Sequence, residues 1–222
     1  MGVARAPVYA PARLDEGLAA LSGDPGFDTI VEGAGPPQFR ARRNGFATLL
    51  HIILEQQVSI DAAAAMHRRL SGLCVPLAPA PFLALDDVTL RSCGFSRQKA
   101  SYGRGLAAAV ADGSLDFARL EAADDDTALA MLVALKGIGR WSAEIYLIFA
   151  LGRNDVWPAA DLGLQFAVAE CLGLGERVGE KELRGMGERW RPWRTIAACL
   201  FWQSYLHKRN RTAPTLPPEL YA

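Results

Sequence analysis

The chain has 222 residues, half of them hydrophobic and 22% charged, with 24 basic and 24 acidic side chains. That length serves one large domain or two small ones, each with its own core. The composition excludes a disordered chain, no apolar run reaches the ~18 residues of a membrane span, and a net charge of zero weighs against nucleic-acid binding by bulk charge.

In chain order the pattern is helical nearly throughout. The N-terminal run lacks an apolar signal core, so a cytoplasmic protein without a membrane partner is expected. Residues 11–21 predict a short helix broken by Gly23 and Pro25. Residues 45–57 are almost continuously apolar, which predicts a buried helix, and Ser59 is placed to cap the next one over 60–71. Pro76, Pro79 and Pro81 punctuate a loop. Helices over 86–92, 97–111 and 125–135 follow, separated by Gly94 and Gly113. Asp124, Asp125 and Asp126 load negative charge onto one helix start, where the helix dipole favours it. A helix over 140–150, a loop over 152–160 and helices over 162–172, 180–190 and 193–207 complete the pattern, before a proline-rich extended tail at 212–222. Alternating strand patterns are nearly absent, and the expectation is an all-α protein.

The most telling local feature is the run Leu135-Lys136-Gly137-Ile138-Gly139-Arg140-Trp141. Glycine takes positive φ without steric cost, so two glycines one residue apart allow a very tight turn between two helices. The helix that starts at once afterwards presents backbone N–H groups to an anion, and a phosphate suits them. Turns of this kind also occur as plain structure. Asp161 lies twenty residues past Trp141, just before another apolar helix pattern. Read locally, it suits a helix N-cap.

Charge is unevenly spread. Residues 177–211 hold nine basic and three acidic side chains, and Arg40, Arg42 and Arg43 form a second cluster. Such segments suit DNA phosphates, and equally a solvated surface. Cys74, Cys93, Cys171 and Cys199 are widely spaced with no C-x-x-C, so buried thiols are expected, with neither a zinc site nor an iron–sulfur cluster.

The Leu135–Trp141 run, followed by Asp161, resembles the signature of the helix-hairpin-helix (HhH-GPD) DNA glycosylase superfamily, with Lys136 where the family usually has proline. GIGRWSA over 137–143, residues 186–195 (MGERWRPWRT) and residues 53–59 (ILEQQVS) are most similar to its 3-methyladenine DNA glycosylase II branch. The resemblance implies two helical lobes with a DNA cleft between them. One lobe would be residues 45–150, ending in the helix-hairpin-helix at about 125–150, and the other 1–44 with 151–222.

It also implies roles. Asp161 would be the catalytic carboxylate, stabilising the oxocarbenium-like sugar or activating water. Bifunctional relatives carry a Schiff-base lysine where this chain has Trp141, so a monofunctional, water-using glycosylase is implied. Trp141 and Trp202 would line a base pocket, an indole face suiting a cationic alkylated purine, although both also suit core packing. Glu144, Tyr146, Phe46 and His51 are further pocket candidates, while Ile145 stands where some relatives have a pocket tyrosine. Gln57 would be the plug that fills the gap left by an extruded base, or else a surface glutamine. Lys136, Gly137, Ile138, Gly139 and Arg140 would meet DNA phosphates. The main-chain oxygens of Val133, Leu135 and Ile138 would hold a structural monovalent cation, with no other cofactor. The implied partner is double-stranded DNA with damaged bases, bound by a monomer. A glycosylase of the same fold for uracil or mismatch-derived bases, and a non-catalytic DNA-binding protein, are the alternative readings.

Overall fold

In the computed structural model, the residues described are 13–37, 39, 41–211 and 215–221; Arg40, the start of the 11–21 helix, and 212–214 and 222 of the tail lie outside them. The α-helices are Leu14–Leu21 (α1), Pro25–Ala34 (α2), Phe46–Glu55 (α3), Ile60–Ser71 (α4), Pro79–Leu83 (α5), Asp87–Ser92 (α6), Arg97–Ala111 (α7), Phe117–Ala122 (α8), Asp125–Val133 (α9), Arg140–Phe149 (α10), Leu162–Cys171 (α11), Glu180–Met186 (α12) and Arg194–His207 (α13). The fold is all-α; among the described residues the one extended pairing is an isolated bridge between Arg42 and Tyr221. No described helix is long and apolar enough to cross a membrane.

Two helices occupy stretches where the prolines suggested a break and a loop. Pro25 opens α2 and Pro79 opens α5. A first-turn residue has no helical acceptor for its N–H, so a proline there removes nothing. The predicted cap at Ser59 holds, its hydroxyl accepting from Ala62 N; Asp124, expected only as charge at a helix start, is itself the N-cap of α9 and accepts from Thr127 N.

The chain divides into two compact units, residues 1–41 with 147–213, and 42–146 with 214–222. In the first, α13 packs against α11, α2 and α1. Its centre is a ring cluster, with Trp157 and Trp190 centroids 5.0 Å apart and Phe201 5.2 Å from Trp190 and 5.0 Å from Phe27. Gly187 backs onto this cluster: a Cβ there would lie 2.5 Å from the Trp157 ring.

In the second unit α3 is the central helix, packed by α4 and α7 and buried from Thr48 through Glu55. It carries a buried polar file. Arg42 grips Glu55 through two bonds of 3.0 Å each, and His51 lies 3.4 Å from the same carboxylate. The His51 and His67 rings meet edge to face at 4.9 Å. Burial alone would raise the Glu55 carboxyl, but Arg42 and His51 hold it down at about 2. Burial, then the neighbouring His51, pushes the His67 imidazole down to about 4.

The last described residues fasten to this second unit, whereas the sequence places the tail in a lobe of 1–44 with 151–222. Arg43 Nε donates to Tyr221 O at 2.6 Å, Ser71 Oγ to Glu219 at 2.9 Å, and His67 lies 3.3 Å from Glu219. Pro218–Leu220 is a turn of 3₁₀ helix rather than extended chain. Cys74, Cys93 and Cys199 are buried and no cysteine is bridged; burial pushes the Cys199 thiol up to about 12.

Candidate active site and nucleic-acid interface

Asp161 is the N-cap of α11, and its Oδ1 accepts from Leu164 N at 2.7 Å. The same oxygen accepts from Trp202 Nε1 at 2.9 Å. The residue proposed from the sequence as carboxylate or cap is thus a cap in the structure, and the second partner of its Oδ1 is an indole N–H. Its backbone is held from both sides, with Asp161 N donating to Pro158 O at 2.8 Å and Gln165 Nε2 to Ala159 O at 2.8 Å. The preceding loop is tied to the start of α13. Thr195 Oγ1 donates to Arg153 O at 2.7 Å and accepts from Val156 N at 3.1 Å, and Arg194 Nε donates to Asp155 at 2.6 Å. The sequence thus places one carboxylate at a fixed point, oriented by a side chain forty-one residues later.

Trp202 is half-buried on α13. Its ring stacks on Phe149, centroids 5.9 Å apart at 26°. Phe149 escaped the sequence reading, because an apolar residue late in an amphipathic helix reads as core. Beside Asp161, Leu162 and Phe166 are 60% and 42% exposed, one turn apart on α11, an apolar edge next to the anion.

The second unit carries the hairpin. Gly137 stands at φ +92°, and a Cβ there would lie 2.2 Å from the Tyr102 ring. Gly139 differs: a Cβ there would meet nothing within 4 Å. Only the first glycine is demanded by the turn itself. Ile138 is buried and pins the turn, whereas Lys136, Gly139 and Arg140 are exposed. Trp141 is half-buried in the first turn of α10. Glu144 is buried and accepts from Arg140 Nε at 2.8 Å, so it steadies an exposed arginine of the same helix. Val133 is 44% exposed at the end of α9, and the Leu135 carbonyl already accepts from Ile138 N at 3.0 Å. Gln57 is exposed and left-handed at φ 57°.

Three pocket candidates are core residues of this unit instead. Tyr146 is fully buried, its hydroxyl donating to Asn44 and accepting from Gly45 N at 2.8 Å; burial pushes its phenol well above the usual range. Phe46 is buried against Phe82, centroids 5.8 Å apart. His51 is fully buried beside His67 and Glu55. An amphipathic helix shows its pocket and core faces by the same apolar spacing, so sequence alone does not separate them.

The basic stretch spends most of its charge internally. Arg184 pairs with Glu180, Arg189 with Asp24, Arg191 and Arg194 with Asp155 and Glu188, and Arg209 with Glu170. Arg177 donates to Gln165. Arg42 is buried on Glu55, and Arg43 is committed to the tail. Among the described residues, most arginines of the two clusters are therefore engaged within the protein. Among the described residues, no three His, Cys, Asp or Glu side chains gather as a metal site.

A helix–Gly-x-Gly–helix hairpin, and a capping aspartate at a later helix start, are thus both in place. The model of the HhH-GPD superfamily of base excision DNA repair proteins matches residues 50–192. The chain belongs to this superfamily. Its fold is that of other HhH-GPD proteins. A Bacillus halodurans structure described as a DNA-3-methyladenine glycosidase is 35% identical, with a TM-score of 0.74 over 87% of this chain and 89% of that one. The Schizosaccharomyces pombe 3-methyladenine DNA glycosylase Mag1, solved with abasic DNA, is 27% identical, with a TM-score of 0.80 over 85% and 95%. The alkylbase DNA glycosidase-like protein mag2 of S. pombe is 32% identical over 60% of this chain. The chain spans 57% of a Bacillus subtilis relative and 63% of mag2, so it covers only part of the curated relatives it matches.

Proposed function

We propose that this HhH-GPD protein is a monofunctional DNA glycosylase of base excision repair, a hydrolase that releases alkylated purines from double-stranded DNA. Acting as a monomer in the cytoplasm, it leaves an abasic site. The observation that carries the reading is Asp161: a carboxylate capping α11, its Oδ1 fixed by Leu164 N and the Trp202 indole. The relatives support the substrate class, being named for 3-methyladenine and alkylated bases.

The chemistry follows from one anion. As the base departs with the bonding electrons, positive charge grows on the deoxyribose. A fixed carboxylate stabilises that charge and orients, or takes a proton from, the water that attacks C1′. Because Asp161 is already oriented, little reorganisation is needed as charge develops. An alkylated purine leaves with its cationic charge neutralised, so the enzyme has less leaving-group work to do. Trp141 carries no amine, so no Schiff base forms through that position.

Backbone amides at the hairpin tip and the start of α10, Gly139 and Arg140, take the DNA phosphates, the Ile138 N–H being held by Leu135 O. Main-chain oxygens of Val133, Leu135 and Ile138 hold a structural monovalent cation; the Leu135 carbonyl keeps a second lone pair beyond its bond to Ile138 N. Such a cation would steady the hairpin without entering the chemistry.

The test is base release from duplex DNA treated with a methylating agent, with products identified by chromatography. The wild-type protein releases 3-methyladenine or 7-methylguanine, and Asp161→Asn does not. Release of uracil or of a mismatched normal base instead would move the protein to another substrate class. No release of any base would leave a DNA-binding protein.

A further inference from the structure

Gln56 was not among the residues singled out from the sequence. It is the C-cap of α3, immediately before the left-handed Gln57. Its side chain turns back to the hairpin. Nε2 donates to Gly137 O at 2.8 Å and to Ser142 Oγ at 3.0 Å, so both amide hydrogens are used. The Gly137 carbonyl shares a peptide plane with Ile138 N–H, which donates to Leu135 O at 3.0 Å. That plane is therefore held at both ends. The next amides along the chain belong to the hairpin tip and the first turn of α10, the groups with no acceptor inside the helix. A plane fixed just before them sets where they point. Ser142 stands in the same first turn and is 2% exposed.

α7 braces the arrangement. Lys99 Nζ donates to Leu54 O at 2.6 Å in the last turn of α3, and the Tyr102 ring fills the space beneath Gly137. Beyond Gln56 the turn is open: Gln57 is exposed, and Val58 and Ile60 are each 41% exposed. One side chain thus joins the turn that presents Gln57 to the turn and the helix that present the phosphate-binding amides.

We propose that Gln56 is a positioning residue that locks the Gln57 turn and the hairpin into one register, so that filling the gap in the duplex and gripping its backbone occur together. The inference rests on the glycosylase reading above. Its physical basis is that a plug and a phosphate clamp act on the same stretch of duplex. A displacement of about 1 Å between such groups is enough to cost two orders of magnitude in rate.

The test is a double-mutant cycle on the full chain. The probe is a duplex with a tetrahydrofuran abasic analogue and 2-aminopurine as its neighbour, whose fluorescence reads unstacking. The variants are Gln56→Ala, Gln57→Ala and the pair, with Gln56→Glu as an isosteric second variant that lacks both donor hydrogens. Loss of the two bonds should weaken binding to the abasic duplex about tenfold and lower the 2-aminopurine signal at saturating protein. The paired variant should bind within about twofold of Gln57→Ala alone, because a positioning residue has nothing left to position. Affinity for undamaged duplex should change less than about threefold by the same reasoning. Gln56→Glu should follow Gln56→Ala.

Additive losses in the cycle overturn the proposal. So does an equal loss on undamaged duplex, an unchanged affinity in both folded Gln56 variants, or a failure of both to fold, which would make Gln56 a structural residue. The two readings fail separately. A wild-type protein that releases no base removes the enzymatic reading. An active wild type with an additive cycle removes the role of Gln56 alone.

Discussion

Helices α10 and α11 begin in opposite ways. α11 opens on Asp161, whose own carboxylate satisfies Leu164 N at 2.7 Å. α10 opens after Gly139, which has no side chain to offer and open space around it. Both starts follow the same electrostatics, since free amides and the helix dipole favour a negative group. At α11 the chain supplies the anion and keeps it. At α10 no side chain of Gly139 supplies one, which under the proposed function leaves the place to a DNA phosphate. The difference separates chemistry from grip: a permanent negative charge suits a developing cation, and an open helix start suits a phosphate.

The strongest test neutralises the anion that stays. Asp161→Asn keeps the shape, and its carbonyl oxygen still accepts from Leu164 N and from Trp202. Base release should fall by about 10²-fold or more in single-turnover kinetics. Affinity for an abasic duplex should be unchanged or slightly higher, since a negative group near the phosphates is gone. Retention of a third of the wild-type rate would place the reacting carboxylate elsewhere.

Trp202→Phe is the next largest effect. It keeps an aromatic ring for Phe149 and removes the donor to Asp161. A hydrogen bond to a charged acceptor is worth about 1.5–3 kcal/mol, so a rate loss of at least about tenfold is expected on every lesion. Trp202→Ala also removes the indole face. It should add a further loss of about two- to thirtyfold on cationic 3-methyladenine or 7-methylguanine relative to neutral hypoxanthine. If Trp202→Phe retains the full rate, the Nε1 bond does not orient the carboxylate.

The hairpin glycines divide the grip from the fold. Gly137→Ala meets the Tyr102 ring and a positive φ together, so it should destabilise the protein by about 1–3 kcal/mol in denaturant melts. Gly139→Ala should leave stability within about 0.5 kcal/mol. It should nonetheless weaken binding several-fold, alike for all DNA sequences, by obstructing a phosphate that carries no sequence code. Unchanged affinity in Gly139→Ala would mean that phosphates do not approach this helix start.

How much of the molecule is legible in its sequence depends on the range of each interaction. The hairpin turn, the Asp161 and Ser59 caps and the negative charge at the start of α9 are legible because each is decided within a few residues. Most helices were placed to within a residue or two. α2 and α5 are not legible while proline is taken as a breaker, whereas at a first turn it starts a helix. The wider pocket was not legible. Tyr146, Phe46 and His51 share apolar helical spacing with surface-facing aromatic positions, and only their three-dimensional neighbours, Asn44, Phe82 and His67, place them in the core. The bonds from Gln56 to Gly137 and from Trp202 to Asp161 join positions eighty-one and forty-one residues apart, beyond any local pattern.

The smallest effect concerns charge. By composition the 177–211 stretch is the strongest cationic segment of the chain, yet Arg184, Arg189, Arg191, Arg194 and Arg209 lie on carboxylates. The hairpin holds few charges, but Lys136 beside it is exposed. Each phosphate neutralised by a side chain contributes about 0.9 to the slope of log affinity against log salt on duplex DNA. Lys136→Ala should therefore lower that slope by about one. Arg191→Ala or Arg184→Ala should leave it unchanged, because an arginine already paired releases no counterion from DNA. Exposed ion pairs are worth at most about 1 kcal/mol, so the same variants should barely move the melting midpoint. A slope that falls in Arg191→Ala and not in Lys136→Ala would show that these pairs open onto DNA. It would also make the arginine-rich stretch, rather than the open start of α10, the main phosphate contact.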